Sequence, residues 1–544
     1  MNNAVFQFAQ PVNEPIKEYR PGSPERIELQ AKLAELKNQE IEIPLIIGGK
    51  EIKTGDIDTV TMPSDHGHVL ARYHKAQPEH VQMAIKAAVD ARAKWADMRW
   101  EERASITLKA AELIATKYRA LLNASTMLGQ SKNAFQAEID AACETIDFLR
   151  FNAHYASKIY ADQPISSTGV INRVEYRGLE GFIFALTPFN FTAIAANLNM
   201  SPVLMGNVTV WKPATSAILS GYYLMQIFKE AGVPDGVINF VPGAGRVIGK
   251  EIFDSPDFAG IHFTGSTNTF QQFWKTIGGN IMKYKAYPRI VGETGGKDFI
   301  FAHSSADTDI LSTGIIRGSF EYQGQKCSAA SRAYIPESLW PKVKENVLAD
   351  IAEFKMGDVT DFTNFMNAVI DKAAFDTITN YIQMAIDSDK AEIVAGGKWD
   401  ESKGYFIEPT IIKTTDPHFV TMEEEIFGPV LTIYTYEDDK YEETLKLCDE
   451  TSPYALTGAI FAQDREKLLQ GADALRYAAG NFYFNDKPTG AVVGQQPFGG
   501  ARGSGTNDKA GSYLNLIRWT NTRTIKETLV APTDYKYPFL EADK

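Results

Sequence analysis

The sequence predicts an α/β fold built on parallel sheets, and three observations carry that expectation. Between residues 182 and 302, short β-rich runs (FIFALT, NVTVW, VINFV, GIHF, DFIFA) alternate with helix-like stretches such as 214 to 232, the pattern of successive strand-helix-strand units. A second alternating region runs from about 330 to 485, with strand-like LTIYTY and AIFA between helices. The 544 residues, 44% hydrophobic and 23% charged, have the composition of a globular chain long enough for several folding units.

Taken in order, the chain opens with a polar leader, after which Ser23-Pro24 reads as an N-cap and N1 proline of a charged helix carrying Ile27, Leu33 and Leu36. From about 79 to 155, Val81, Ile85, Ala88, Trp95, Ile106, Leu108, Leu113, Ile114, Ile139, Ile146 and Leu149 recur at near-helical intervals and predict core-facing helices. Parallel sheets bind ligands beyond the carboxyl ends of their strands, which directs attention to residues 187 to 190, 212 to 215 and 264 to 267. Glycine-rich FGGARGSG precedes a last strand expected near 520 to 528.

Several functions are disfavoured at once. The net charge of −13 argues against generic nucleic-acid or anionic-membrane partners, and no apolar run approaches the roughly 18 residues of a membrane helix. The start lacks a basic and apolar secretory pattern and carries Glu14 and Glu18, so a cytoplasmic location is expected, or the mitochondrial matrix if this is a processed eukaryotic chain. Cys143, Cys327 and Cys448 have no metal-site or disulfide spacing, the eight histidines form no ligand cluster, and no metal is expected.

The residues that suggest chemistry are few. Cys327 lies in EYQGQKCSAASR among small residues; a thiolate is strongly nucleophilic, and the charge of Lys326 is expected to lower its pKa. Any cysteine taken alone is more often a small buried hydrophobe, the reading kept for Cys143 and Cys448. Glu293, among the glycines of GETGGK, suits a desolvated general base, against the ordinary alternative of a solvated loop glutamate. Asn190 in PFNF offers a non-titrating amide to an oxyanion, or equally a helix cap. Lys212, ending NVTVWK, suits contact with ligand hydroxyls or phosphate, against the ordinary alternative of a solvated strand-end lysine, and Thr264-Gly265-Ser266-Thr267 reads as a turn into a helix N-terminus, suited to a pyrophosphate. Neither a P-loop nor a G-x-G-x-x-G motif occurs, so a nucleotide site does not follow from glycine motifs alone, and the absence of G-x-S-x-G and H-E-x-x-H disfavours serine-hydrolase and zinc chemistry.

In order, PFNF, WKPA, FTGST, GETGGKD, QGQKCSA, EEIFGPV and PFGG resemble the aldehyde dehydrogenase superfamily over about residues 45 to 530, with the proposed nucleophile 34 residues after the proposed base. TIDFLRFNAHYA, YRGLEGF, FEYQGQKCSA and GNFYFNDKPTGAVVGQQPFGGARGSGTNDK narrow the resemblance to members that oxidise L-glutamate γ-semialdehyde in proline catabolism. A monofunctional member is expected, since 544 residues are too few to hold the second domain of the bifunctional bacterial form as well.

The resemblance implies that Cys327 attacks the aldehyde, Asn190 and the Cys327 backbone N–H hold the oxyanion, and Glu293 activates water to release glutamate from a thioester. It places Lys212 and Glu425 on the cofactor riboses and Ser266 on the pyrophosphate, with Thr187, Gly265, Thr267 and Phe427 lining that cleft. Ser328, Thr489, Gly490 and Ala491 would anchor the substrate carboxylate and Phe191 and Phe498 flank the aliphatic part, while Glu144 is a weaker candidate for a polar contact, with a surface helix glutamate as the equal alternative. NAD is the expected cofactor; Thr215 stands where many NAD-dependent members carry an acid, which leaves NADP electrostatically open, and Phe270 replaces a frequent glycine. The implied organisation is an N-terminal extension (1–44), a Rossmann-like cofactor domain (45–160 and 180–291), a catalytic domain (292–514), and an oligomerisation arm with C-terminal tail (161–179 and 515–544) joining a homodimer or higher oligomer. Another small acidic semialdehyde, acyl transfer to coenzyme A, or a binding protein that has lost catalysis are the alternatives.

Overall fold

A computed structural model of the chain describes residue 6 and residues 8–543; the leader's residues 1–5 and 7, and residue 544, lie outside the described residues. Two seven-stranded sheets organise the molecule. In the first, the strands run Arg289–Glu293, Phe258–Thr264, Phe182–Leu186, Thr209–Lys212, Ile238–Phe240, Leu45–Ile47 and Lys50–Ile52. The first five are parallel, and the last two close the edge antiparallel. Chain order reverses on either side of Phe182–Leu186, so a crevice opens beyond its carboxyl end.

The second sheet runs Ala391–Ala395, Thr410–Thr414, Val430–Tyr436, Ala330–Pro336, Asp298–Ala302, Thr457–Phe461 and Asn481–Phe484, parallel except for its first edge strand. DFIFA, which alternation along the chain groups with the four runs before it, is a central strand of this second sheet. Its continuous apolarity has a simple cause. Phe299 and Phe301 enter one core cluster with Tyr334 and Tyr441, whereas Ile300 and Ala302 enter another with Ala333, Ile433 and Phe461, so both faces are covered. Residues 294–297 alone carry the chain from the edge of one sheet to the middle of the other, and carboxyl ends of the first sheet thereby face amino ends of the second.

Around the sheets the expected helices form, with instructive shifts. Ser23 caps Pro24–Lys37 by accepting from Arg26 N at 3.3 Å, worth about 1 kcal/mol. Leu29, Leu33 and Leu36 face inward, while Ile27 is 60% exposed, so the stripe runs through Leu29 instead. Val81, Ile85, Ala88 and Trp95 are buried on Pro78–Asp97 as expected. Ile139 departs from its expected core role: Glu138 and Asp140 are buried, and Ile139 is only half-buried. The segment Glu138–Glu144 is a π-helix, whose wider turn rotates the face that 3.6-residue periodicity would bury. The strand Asn521–Thr528 forms as expected, antiparallel to Val170–Arg177 in a two-stranded arm. No described helix is long and apolar enough to cross a membrane, and no group of three or more potential metal-binding side chains occurs among the described residues.

Candidate active site

The loop that presents Cys327 is held by its backbone shape. Tyr322 and Gln323 are left-handed at φ 54° and 55°, followed by Gly324 at 66°. Side chains require about 1–2 kcal/mol each to sit there. The surroundings supply it: Gln323 Nε2 donates to Ser131 O (3.0 Å) and Ala368 O (2.9 Å), while its Oε1 accepts from Asn367 N (2.9 Å). Tyr322 donates to Gln130 O at 2.8 Å, and Gln325 Oε1 accepts from Ile370 N at 2.9 Å. Glycine at 324 is obligatory, since a Cβ there would lie 2.2 Å from Gly428 O.

Asn190, 3% exposed beyond the strand Phe182–Leu186, donates from Nδ2 to Gln325 O at 3.1 Å, so the amide lies on the cysteine loop. Cys143 and Cys448 are buried as expected; Cys327 is partly open. The packing nonetheless pushes the Cys327 thiol well above its ordinary value, first by desolvation and then through Asp298, Glu425 and Glu293. This overturns the expectation that Lys326 depresses it. The Lys326 ammonium is instead ion-paired with Glu321 at 3.1 Å, and burial lowers its own pKa.

Glu293 ends the edge strand of the first sheet, where its Oε2 accepts from Gly500 N at 2.8 Å. Desolvation pushes its carboxyl well above the usual range, and the adjacent Asp508 adds to the rise. The FGGARGSG segment and the Thr506 that follows it close over it: Thr294 N donates to Ser504 O (2.8 Å) and Thr506 N to Gly292 O (2.9 Å). The GETGGK glycines then serve close approach. A Cβ on Gly296 would lie 2.2 Å from Cys327 O, and one on Gly295 2.3 Å from Glu425 Oε2. Gly296 N donates to Glu425 Oε1 at 2.9 Å, and burial raises the Glu425 carboxyl to about 7. Glu425 is thus fastened to the loop that packs on the cysteine.

On the first-sheet side, Thr187 Oγ1 accepts from Trp211 Nε1 at 3.0 Å. Lys212, at the neighbouring strand end, has no ion-pair or hydrogen-bond partner for its ammonium among the described residues, and desolvation lowers it to about 8. Ser266 caps Thr267–Gly279 by accepting from Thr269 N, and Thr267 Oγ1 accepts from Gly295 N at 3.2 Å, joining this turn to the GETGGK loop. Gly265 passes Phe263 so closely that a Cβ would lie 2.6 Å from the ring. Phe270 stacks on Phe263 at 5.4 Å, and a Cβ on Gly292 would meet it at 2.4 Å, so the aromatic substitute for a frequent glycine fills space beside the Glu293 strand. Phe427, left-handed at φ 59°, meets Phe189 edge-on at 5.8 Å.

The remaining expected residues sit on the other side of Cys327. Ser328 Oγ lies 2.8 Å from Thr489 Oγ1, next to Gly490 at φ 94° and Ala491. Phe191 carries Lys132 Nζ 3.8 Å above its ring, and Phe498 exchanges two backbone hydrogen bonds with Ala510. Glu144 ends the π-helix; burial and Asp140 raise it to about 8 against the pull of Lys132 and Lys326, which separates it from an ordinary surface glutamate.

Sequence reasoning passed over several residues here. Gln323 and Gln325 stand in the quoted QGQKCSA but carry no signal of their partners. Lys297 and Asp298 stand in GETGGKD, and both are buried with Lys297 Nζ and Asp298 Oδ2 unpartnered among the described residues. Desolvation lowers Lys297 to about 7 and raises Asp298. Two charged residues beside three glycines were the available signal.

Comparison with known proteins bears on this arrangement. The profile of the Aldehyde dehydrogenase family matches residues 53–525. A protein of Dictyostelium discoideum named delta-1-pyrroline-5-carboxylate dehydrogenase, mitochondrial, is 54% identical, covering 97% of this chain and 96% of its own. One of Agaricus bisporus, named delta-1-pyrroline-5-carboxylate dehydrogenase, is 52% identical over 98% of each chain. The crystal structure of the Mycobacterium tuberculosis delta-pyrroline-5-carboxylate dehydrogenase bound with NAD superposes with a TM-score of 0.96 at 49% identity, covering 99% of this chain and 100% of that one. By sequence and by fold, the chain belongs to the aldehyde dehydrogenase family.

Proposed function

We propose that the chain oxidises L-glutamate γ-semialdehyde, the open form of delta-1-pyrroline-5-carboxylate, to L-glutamate with NAD. One observation carries this reading: the Cys327 thiol, the Asn190 amide on its loop and the buried Glu293 carboxyl meet in the seam between the two large sheets. The substrate is supported by the names of the relatives from D. discoideum and A. bisporus, and the cofactor by the NAD-bound M. tuberculosis structure.

The residues present fit a dinucleotide. Lys212 is a desolvated cation without a partner among the described residues, and the capped N-terminus of Thr267–Gly279 suits a pyrophosphate. Lys212 and Glu425 would hold the riboses and Ser266 the pyrophosphate, with Thr187, Gly265, Thr267 and Phe427 around them. The cofactor supplies the acceptor for the hydride lost from the substrate carbon. The chain's residues do the rest. The Cys327 thiol passes its proton to water and its sulfur adds to the aldehyde carbon, and the carbonyl π pair moves to oxygen, where Asn190 Nδ2 and the Cys327 N–H receive it. After oxidation the carbon is held as a thioester. Glu293 takes a proton from water, the hydroxide adds to the thioester carbon, and the C–S bond breaks to free glutamate. Ser328, Gly490 and Ala491 anchor the α-carboxylate, Phe191 and Phe498 flank the methylenes, and Glu144 faces the polar end.

The two sheets support separate cofactor (45–160 and 180–291) and catalytic (292–514) domains. The arm of Val170–Arg177 and Asn521–Thr528, exposed along much of its length, supports pairing with a second copy. The relatives from D. discoideum and Danio rerio are named mitochondrial, which favours the matrix over the cytoplasm for a eukaryotic chain. The test is direct: purified protein given pyrroline-5-carboxylate and NAD should produce NADH absorbance, and Cys327→Ala should abolish it. A silent wild type refutes the reading.

A further inference from the structure

The segment 13–19 lies ahead of the stretch matched by the family profile, 53–525, yet it reaches elements that carry the substrate side of the site. Asn13 is the junction. Its Nδ2 donates both to Asp147 Oδ2 and to Val493 O, each at 2.8 Å, and its Oδ1 accepts from Gln495 Nε2 at 2.9 Å. One amide therefore ties the helix Thr145–Ala161 to the segment that leaves the Gly490-Ala491 loop.

The rest of the segment fastens the same region. Glu14 N donates to Asp147 Oδ1 at 2.8 Å, and the Glu14 carboxylate bridges Arg119 and Arg150 at 2.6 Å each. Lys17 N and the Tyr19 hydroxyl donate to the two oxygens of buried Glu138 at 2.8 and 2.7 Å. Glu138 opens the π-helix that ends at Glu144. Within that π-helix, Asp140 accepts from Thr192 N (3.0 Å) and Ala193 N (2.8 Å), fixing the helix start just after Phe191. Beneath the Asn13 junction, Val493 packs with Phe148, Phe151 and Ala193 in a small apolar cluster of its own, apart from the large cores.

We propose that residues 13–19 are a positioning strap, with Asn13 as its clasp, that fixes the Gly490-Ala491 loop against the Glu144-bearing helix and so sets the affinity for the aldehyde substrate. This rests on the reading of Glu144, Gly490 and Ala491 as substrate contacts. The strap touches none of Lys212, Ser266 or Glu425, so its effect is confined to the aldehyde. Without the clasp, one buried carbonyl (Val493 O) and one buried carboxylate (Asp147) each lose a donor.

The test uses the full chain. Asn13→Ala should raise KM for pyrroline-5-carboxylate about tenfold, with kcat and the KM for NAD within twofold of wild type. Asn13→Asp sets two carboxylates face to face at Asp147 and should raise it further; adding Asp147→Asn restores a donor and should recover part of the loss. Independently of turnover, hydrogen exchange should quicken at residues 489–495 in Asn13→Ala. Unchanged exchange with an unchanged aldehyde KM overturns the strap, as does an equal rise in both KM values, which would mean general loosening. If the wild type is silent toward the aldehyde, the proposed function falls, and the exchange measurement alone decides the strap.

Discussion

Replacing Gln323 by methionine preserves volume and removes every hydrogen bond that the side chain makes, which isolates the clasp on the nucleophile loop. Three groups lose their partner: the carbonyls of Ser131 and Ala368 and the amide of Asn367, all in buried residues. An unsatisfied buried group costs about 1–3 kcal/mol, so the three together cost at least about 3 kcal/mol. The left-handed conformations of Tyr322 and Gln323 hold about 2–4 kcal/mol against relaxation. With the clasp gone, relaxing the loop both relieves strain and lets water reach the orphaned groups. Cys327 lies four residues beyond Gln323, and a shift of about 1 Å at a reacting atom costs roughly a hundredfold in rate. The expected result is a fall of about a hundredfold in kcat/KM for the aldehyde, about 2.7 kcal/mol. NAD affinity should be unchanged, because Lys212 and Ser266 lie on the other sheet. Steady-state NADH production and a fluorescence titration with NAD measure the two. A variant that keeps kcat/KM within twofold of wild type refutes the account of the loop as held under strain by Gln323.

The two remaining tests concern charge. Burial raises Glu425 from 4.5 to about 7, so the folded state binds the extra proton in that window and loses stability as pH rises through it. Glu425→Gln should therefore match wild type in denaturant stability below about pH 4.5 and exceed it above pH 7, by up to about 3 kcal/mol; equal pH dependence of the two proteins would contradict the desolvated carboxyl. Lys212, lowered to about 8, carries its charge at pH 7 and loses it as pH rises through 8, so NAD affinity should weaken over that range. Lys212→Met should raise the NAD Kd at pH 7 by roughly tenfold to a hundredfold and abolish this pH dependence, whereas a Kd that stays flat in wild type from pH 7 to 9.5 would remove Lys212 from the cofactor site.

Much of the architecture was legible because it rests on short-range rules. Strand-helix alternation located four of the five main strands of the first sheet, and Ser23-Pro24 marked a helix start that forms as read. The rule that ligands gather at the carboxyl ends of parallel strands singled out Thr187, Asn190, Lys212 and Ser266, which the fold sets at or just beyond the carboxyl ends of three adjacent strands of the first sheet. The same rule misses Cys327, which precedes its strand, Ala330–Pro336, because here a second sheet turns its amino ends toward the first. Cys327 stood out only through its small neighbours and the ordered motifs around it.

What tertiary structure alone decided is what depends on partners far along the chain. Whether Lys326 could lower a thiol turned on Glu321, folded back onto it; which donor would meet the buried Glu293 carboxylate turned on Gly500, 207 residues away. The sheet that DFIFA joins, the π-turn that buries Glu138 and Asp140, and the clasp of Gln323 on Ser131 and Ala368 have no local signature. Propensity and periodicity report on neighbours within a turn or two. Desolvation and charge pairing are set by every atom packed within a few ångströms, and in this protein those atoms come from segments hundreds of residues apart.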